Sequence, residues 1–371
     1  MRAGYDEVVL LTGFPSFRGR RLAAELLSAP GRTLLHAVVH RKFATDAARA
    51  VDSLPAEQRR RIVLTEGDAG AMDLGLSGAE FSALAREVDR IHHAAQVSYL
   101  GVERAAAEYL NVGAMREVLE LGAACTSLQS IVVQSSVTVS GDRTGVVYED
   151  DLDRGQKFRN VVEETLSRAE RMARAAMTRL PIVVLRPPFV VGDSASGEID
   201  RLDGPYLLIL LMLAAPPEFA LPLPAQADAR LQVVPIDYLT RAAVAIGRDA
   251  RALGRTVHLV DGHPIPTREV LDLVARAGGR RTPRGFLPAN LTKALLRAPG
   301  LEKLMRSPRA FLDALTTPVT YDTRNARMLL DGTGIECPPL ASYVEHLVSH
   351  VQKRLQERAS LRDADAPDPL G

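Results

Sequence analysis

The residues best suited to chemistry sit in three short turns, each following an apolar run. The first is Thr12-Gly13-Phe14-Pro15-Ser16-Phe17-Arg18-Gly19, with the spacing Gly-x-x-Ser-x-x-Gly. In a phosphate-binding turn the first Gly makes a tight bend, the second lets backbone approach a pyrophosphate, and the third packs helix against strand. The helix that follows points free N–H groups and its positive dipole end at the phosphates. Ser16 stands in the second place; its Cβ crowds the approach, while its hydroxyl could donate to a phosphate oxygen. A plain structural turn is the competing reading. The second turn, His40-Arg41-Lys42, offers cations where an acid would bond a ribose 2′-hydroxyl. The third, Gly67-Asp68, places a carboxylate where it can bond an adenine amino group. Together the turns predict dinucleotide binding, with NADP(H) favoured over NAD(H).

Other chemistries find little support. Eight His are scattered without metal-ligand spacing, and His92 and His93 would point to opposite faces of a strand, so no metal site is expected. The 46 Lys and Arg balance 45 Asp and Glu, which leaves no electrostatic footprint for nucleic acid or an anionic membrane. The apolar run Leu207 to Ala215 is too short for a membrane span, which needs about 20 residues. Two Cys, Cys125 and Cys337, make no disulfide framework, and the N-terminus lacks a signal-peptide pattern, so a cytoplasmic location is expected.

The elements that would position these turns follow an alternating rhythm. Strands are predicted at Val8–Leu11, Leu34–Val39, Ile62–Leu64, Asp89–His93, Ser130–Val133 and Ile182–Leu185. Helices are predicted at Arg20–Leu27, Ala79–Glu87, Glu103–Leu121 and Val161–Thr178. Near-continuous apolar strands alternating with helices argue an α/β fold: a Rossmann-type, doubly wound parallel sheet. The rhythm breaks after Pro187. Leu231–Ile236 reads as one more strand, and helical segments follow at Thr267–Ala277 and Ser342–Glu357. The expected division is a dinucleotide-binding domain over 1–191 and 231–262, a smaller, mainly helical substrate lobe over 192–230 and 263–357, and a flexible tail over 358–371.

These pieces, in this order, resemble the extended short-chain dehydrogenase/reductases, and most closely the fatty acyl-CoA reductase and carrier-protein thioester reductase branch (male-sterility-type NAD-binding domains). The resemblance rests on Thr12-Gly13 through Gly19, Gly67-Asp68, Val88 to Ala95, Asn111-Val112, Ser135-Ser136, Leu185 to Asp193, Asp203-Gly-Pro-Tyr206 and Val234-Pro-Ile-Asp237. It implies that Gly13, Ser16 and Gly19, with Thr12, Phe14 and Phe17 beside them, lie along the pyrophosphate. Arg41, with His40 or Lys42, would meet the 2′-phosphate. Gly67-Asp68 would sit by adenine, with His93-Ala94-Ala95 beneath it, and Pro187, Phe189 and Val190 would approach the nicotinamide. Asn111 and Ser136 match two of four catalytic positions.

The other two positions are changed. The family pattern Asn-x-Tyr-x-x-Ser-Lys, with a Glu four residues on, reads here Asn160-Val161-Val162-Glu163-Glu164-Thr165-Leu166, with Glu170 in the last place. Tyr has become Val162 and Lys has become Leu166. The family Tyr supplies a proton to the carbonyl oxygen, and the Lys lowers the phenol's pKa from about 10 and bonds the nicotinamide ribose. Val162 and Leu166 do neither. Such general acid catalysis contributes about 10²–10⁴-fold. The cleft has either become an apolar pocket or been filled as core. Glu163, Glu164 and Thr165 read as a solvated helix face, although one of them, or Tyr99, could act as a different acid.

The reading that follows is an atypical protein of this fold. It binds NADP(H) and an apolar, acyl or thioester ligand, either free or carrier-protein-bound, and its Tyr/Lys-dependent carbonyl reduction is lost or weakened. One alternative is an enzyme with altered chemistry in the same cleft, such as a reductase with a substitute acid or a non-redox cyclase or dehydratase. The other is a cofactor-free binding or scaffold subunit. Tyr206–Ala215 is apolar all round and reads as a buried helix. Leu291–Arg306 mixes basic and apolar residues, is split by Pro299, and could meet an acidic carrier or a phosphopantetheine.

Overall fold

The computed structural model describes residues 4–99, 101–214, 216, 223–224, 229–283, 286–287 and 318–364. Along the chain run β1 (Glu7–Thr12), α1 (Phe17–Ser28), β2 (Thr33–Val39), α2 (Ala44–Asp52), α3 (Ala56–Arg59), β3 (Ile62–Glu66), α4 (Gly78–Glu87) and β4 (Arg90–His93). They are followed by α5 (Arg104–Ala107), α6 (Ala114–Ala124), β5 (Ser130–Gln134), β6 (Gly145–Val147), α7 (Val161–Ala176), β7 (Ile182–Arg186), β8 (Phe189–Val191) and α8 (Tyr206–Ala214). The remainder holds β9 (Leu223–Pro224), β10 (Val233–Pro235), α9 (Ile236–Arg248), β11 (Thr256–His258), α10 (Thr267–Ala277), β12 (Phe286–Leu287), β13 (Val319–Tyr321), α11 (Arg324–Leu330) and α12 (Val344–Ala364).

The chain divides into two units. The first holds Met1–Pro188, Ile236–Gly262 and Thr317–Cys337; the second holds Phe189–Pro235, His263–Thr316 and Pro338–Gly371. In the first unit seven strands form one sheet in the order β11-β7-β5-β4-β1-β2-β3, every pair parallel. This is the doubly wound sheet that the alternation of strands and helices predicts. Strands β2, β5 and β7 are buried along their whole length, as strands covered on both faces must be. The strand order reverses between β1 and β4, so the ligand crevice of this fold lies beyond their carboxyl ends.

Side-chain caps start helices such as α4 and α7. Ser77 and Glu80 close a capping box at α4. Asn160 caps α7, its Oδ1 accepting from Val162 N and Glu163 N at 3.0 Å each. The predicted helix Glu103–Leu121 is in fact broken: a wide π turn, Glu108–Gly113, separates α5 from α6. The predicted strand Leu231–Ile236 narrows to β10, and Ile236 already opens α9. The seventh strand, β11, is three residues long and carries Thr and His, too short a run to show an apolar pattern.

A buried ion pair fixes α7 to the sheet. Glu170 on α7 and Arg186 at the end of β7 are 0% and 1% exposed. Arg186 donates through Nε to both Glu170 oxygens at 3.0 and 2.9 Å, and through Nη2 at 2.5 Å. Ser135 Oγ donates to the same carboxylate at 2.6 Å. On the far side Arg186 Nη1 lies 3.2 Å from His258 Nε2. Burial, then the guanidinium, pushes the His258 pKa down to about 3, so the ring is neutral. Its Nδ1 proton goes to the Asp322 carbonyl, at 2.8 Å.

In the second unit β8 pairs parallel with β10. All but two residues of α8 are buried, in keeping with its uniformly apolar sequence. Gly192 N donates to Tyr206 Oη at 2.7 Å. Helix α12 continues past Glu357 to Ala364. The rest of the expected tail, 365–371, and the segment Leu291–Arg306 lie outside the described residues.

The ion pair makes a stability prediction. Glu170→Ala strands a buried guanidinium and should cost about 3–5 kcal/mol in urea unfolding. Loss of the more exposed Arg104–Glu164 pair, by Glu164→Ala, should cost under about 1 kcal/mol. Equal small losses in both variants would refute the central role of Glu170.

Candidate functional site

The first turn is built by exclusion. Gly13 has φ +93°, and a Cβ there would stand 2.6 Å from the Ala94 carbonyl. A Cβ on Gly19 would stand 2.5 Å from the Gly13 oxygen. Neither position admits a side chain, so β1, β4 and the start of α1 meet backbone to backbone. Ser16 is the N-cap of α1: its Oγ accepts from Gly19 N at 3.1 Å and donates to the Gly13 oxygen at 2.6 Å. The hydroxyl proton expected to reach a phosphate is therefore spent within the turn. Phe14 is buried, and Phe17 lies beneath the Arg20 guanidinium at 6.0 Å. Thr12 Oγ1 lies 2.8 Å from His93 Nδ1 and accepts from Ala95 N at 3.3 Å, which ties β1 to the loop after β4.

Three loops meet around Asp68. His40 Nε2 lies 3.5 Å from Asp68 Oδ2, while His40 Nδ1 accepts from Lys42 N. Tyr109, on the π turn, donates its hydroxyl to Asp68 Oδ2 at 2.9 Å, and Gly70 N donates to Oδ1 at 3.1 Å. A Cβ on Gly70 would strike the Tyr109 ring. Arg41 and Lys42 are exposed, Lys42 Nζ lying 4.8 Å over the Phe43 ring. Behind Asp68 the backbone is strained: Asp73 and Leu74 have φ of +54° and +59°, the left-handed region that L side chains avoid. Leu74, fully buried, anchors that turn, and its carbonyl accepts from Asp68 N at 2.7 Å. The buried carboxylate of Glu117 accepts from Asp73 N at 3.1 Å. The strained turn thus sets the position of Asp68.

Around the expected catalytic positions the polar groups are largely self-satisfied. Asn111 Oδ1 accepts from Val97 N at 2.8 Å, and its Nδ2 donates to the Val97 carbonyl at 3.1 Å and to Thr165 Oγ1 at 2.9 Å. Ser136, half-buried, accepts from Thr138 N and Thr138 Oγ1 at 3.2 and 2.9 Å. Its own proton has no acceptor among the described residues. Val162 and Leu166 are 4% and 3% exposed and pack with Val97, Val102 and Val139, with Tyr99 at the rim. Of the two fates open to the cleft, this corner has been filled as core. Glu163 and Thr165 are also buried rather than solvated, Glu163 because Arg159 pairs with it at 3.2 Å and Thr165 because it receives Asn111. Glu164 keeps partial exposure and meets Arg104.

Three residues that sequence reasoning missed lie beside this corner. Arg18, in the first turn of α1, donates to Gln134 Oε1 at 3.2 Å. Gln96, in the amide orientation its neighbours require, accepts from the same Arg18 nitrogen and donates to the Gln134 carbonyl at 2.9 Å. Gln134 is buried, and its Nε2 has no partner among the described residues. Gln96 and Gln134 line a cavity of about 10 Å³ together with Asn111, Leu166 and Glu170. A cation near a helix N-terminus, where the dipole disfavours it, was the available signal. Pro187 accepts from Val137 N in the first unit, whereas Phe189 and Val190 belong to β8 of the second. The second unit has its own apolar cavity, about 20 Å³, between Tyr206, Ile209, Val233, Val274 and Leu347. Among the described residues no cluster of His, Cys, Asp and Glu could hold a metal ion, and no helix is long and apolar enough to cross a membrane.

His92 and His93 do face opposite ways. His93 lines the cavity beside Leu166, while His92 lies against Gly247 of α9. Burial pushes their pKa values down to about 3 for His92 and about 4 for His93. The unfolded chain takes up these protons below about pH 6.5. Stability present above that pH is therefore lost as pH falls through the folded values. Both His92 ring nitrogens lack partners among the described residues, so His92→Leu should cost little at pH 7.5 and flatten the loss toward pH 5. Denaturant unfolding at the two pH values reads this; an undiminished loss in the variant would refute it.

Comparison with known proteins agrees with this architecture. The sequence profile of an NAD-binding family described as male sterility protein matches residues 11–243. Isonitrile lipopeptide synthase of Streptomyces coeruleorubidus is 27% identical over 94% of this chain, which spans 25% of that protein's length. The terminal R domain from the myxalamid PKS-NRPS biosynthetic pathway superposes with a TM-score of 0.79 at 25% identity, covering 95% of this chain and 92% of that one. The reductase (R) domain of a nonribosomal peptide synthetase from Mycobacterium tuberculosis shares the fold, with a TM-score of 0.67 at 22% identity over 93% and 91% of the two chains.

Proposed function

Since the chain belongs to the NAD-binding family described as male sterility protein, within the extended short-chain dehydrogenases/reductases, we propose that it binds NADP(H) and an acyl or thioester ligand without reducing it by the family's Tyr/Lys chemistry. The observation that carries this reading is the burial of Val162 and Leu166 in an apolar cluster. The relatives are synthases and reductase domains of peptide and polyketide assembly, so the ligand we favour is an acyl chain held as a carrier-protein thioester.

The residues present fit the adenosine and pyrophosphate of a dinucleotide. Gly13 and Gly19 keep the cradle free of side chains, and Asp68 is held by a strained turn with exposed cations nearby. When bound, the nicotinamide would supply a hydride. The chain's own part in that step would be to deliver a proton to the carbonyl oxygen. Val162 and Leu166 carry none, and Asn111 is fully engaged. Ser136 remains a hydrogen-bond donor, but an aliphatic hydroxyl is a poor acid near neutral pH. Tyr99, on the rim of the same cluster, is the hydroxyl that a surviving reductase would use.

Cofactor choice is read by thermal shift: NADPH should raise the melting temperature more than NADH, and Arg41→Asp should erase the difference. Equal shifts in the wild type would sink the preference. Activity is read by steady-state NADPH oxidation over a panel of ketones, aldehydes and acyl thioesters, with no appreciable turnover expected. A rate near the roughly 10 s⁻¹ median of enzymes would overturn the reading, and its loss in Tyr99→Phe would name the acid.

A further inference from the structure

We infer that Arg18 makes this site select the reduced cofactor, taking NADPH and turning away NADP⁺. The inference rests on the nucleotide reading above and adds a discrimination to it. NADP⁺ and NADPH differ in one charge: the oxidised ring is a cation, the reduced ring is neutral. A fixed cation beside the ring therefore acts on one form only.

The charge at this corner can be followed residue by residue. Arg18 donates to the oxygens of Gln96 and Gln134, which are neutral amides. Among the described residues no carboxylate pairs with it. Burial alone lowers its pKa, to about 10, so it remains a cation at neutral pH. The other charge at the adjoining cavity is Glu170, and Arg186 already neutralises it. His93 is neutral. The first turn of α1 holds no acid, and its dipole adds to the positive field. Two amide oxygens hold the guanidinium in place, so it does not simply swing into water.

Its position relative to the ring follows from what the family resemblance implies for one neighbour. Gln96 and Gln134 line the same cavity as Leu166, which stands in the place of the family Lys that bonds the nicotinamide ribose. A working reductase must bind and release both forms. A site without its acid is under no such demand, and a guanidinium there becomes a reader of redox state. For a partly desolvated cation beside the ring, the expected discrimination is on the order of tenfold or more.

Isothermal titration of NADPH, NADP⁺ and adenosine 2′,5′-bisphosphate at one fixed ionic strength tests this. Wild type should bind NADPH about tenfold or more tightly than NADP⁺. Arg18→Gln should bring the two within about twofold by improving NADP⁺, and should leave the bisphosphate unchanged. Arg18→Lys should keep the preference, and matched melting temperatures would confirm that both variants fold. Equal affinities in wild type would overturn the inference. So would a loss shared by all three nucleotides in Arg18→Gln, which would make Arg18 a phosphate ligand or a brace of the turn. Binding of the bisphosphate with neither dinucleotide would make Arg18 a plug and also overturn it. No binding of any nucleotide would instead remove the nucleotide reading itself, and this inference with it.

Discussion

The Glu170–Arg186 pair holds the first unit's site in register. A carboxylate and a guanidinium buried this deeply are stable only when every remaining lone pair and proton is used. Ser135, His258 and the Glu149 carbonyl each take up part of that set, so one charge pair ties α7 and β7 to the residue after β5 and to β11. The placement of Val162 and Leu166 on the same helix follows from it. So does the Asn111–Thr165 bond, which needs α7 at a fixed distance from the π turn. A Glu in this place of the motif is visible in the sequence; that it is a structural anchor is visible only in three dimensions.

Much of the fold could be read in advance because burial leaves a plain trace. Val8–Leu11 and Ile182–Leu185 are apolar without interruption, as strands covered on both faces must be. β11 was missed because it is three residues long and only Val257 is apolar, while His258 is buried through polar contacts with Arg186 and Asp322. The break at Glu108–Gly113 was missed because a π turn keeps the chain helical and shifts the apolar period by only one residue; the wide turn is accompanied by tertiary bonding of Asn111 and Tyr109.

The candidate site was legible where glycine or charge marks it and opaque where neutral polar groups do the work. Gly13, Gly19 and Asp68 announce themselves by type and spacing. Gln96, Gln134 and Tyr109 match no pattern, since an amide or a phenol suits many surfaces. Glu163 and Thr165 show the opposite error. Their types suggest a solvated face, yet Arg159 and Asn111 draw them inward. Aliphatic side chains at positions 162 and 166 are physically coherent in this setting, because Asn111 and Thr165 beside them bond each other and leave an apolar seam.

The π turn carries Tyr109 and Asn111 two residues apart, the first bonded to Asp68 and the second to Val97 and Thr165. One short stretch of backbone is therefore a strut with an attachment at each end. Asp68 Oδ2 accepts from the Tyr109 phenol and, a carboxylate oxygen having two lone pairs, keeps room for a second donor, so the proposed adenine would share this mooring rather than break it. The other mooring holds the seam between Val97 and α7. The carboxylate at one end of this strut and the Val162–Leu166 seam at the other are therefore braced by one stretch of backbone.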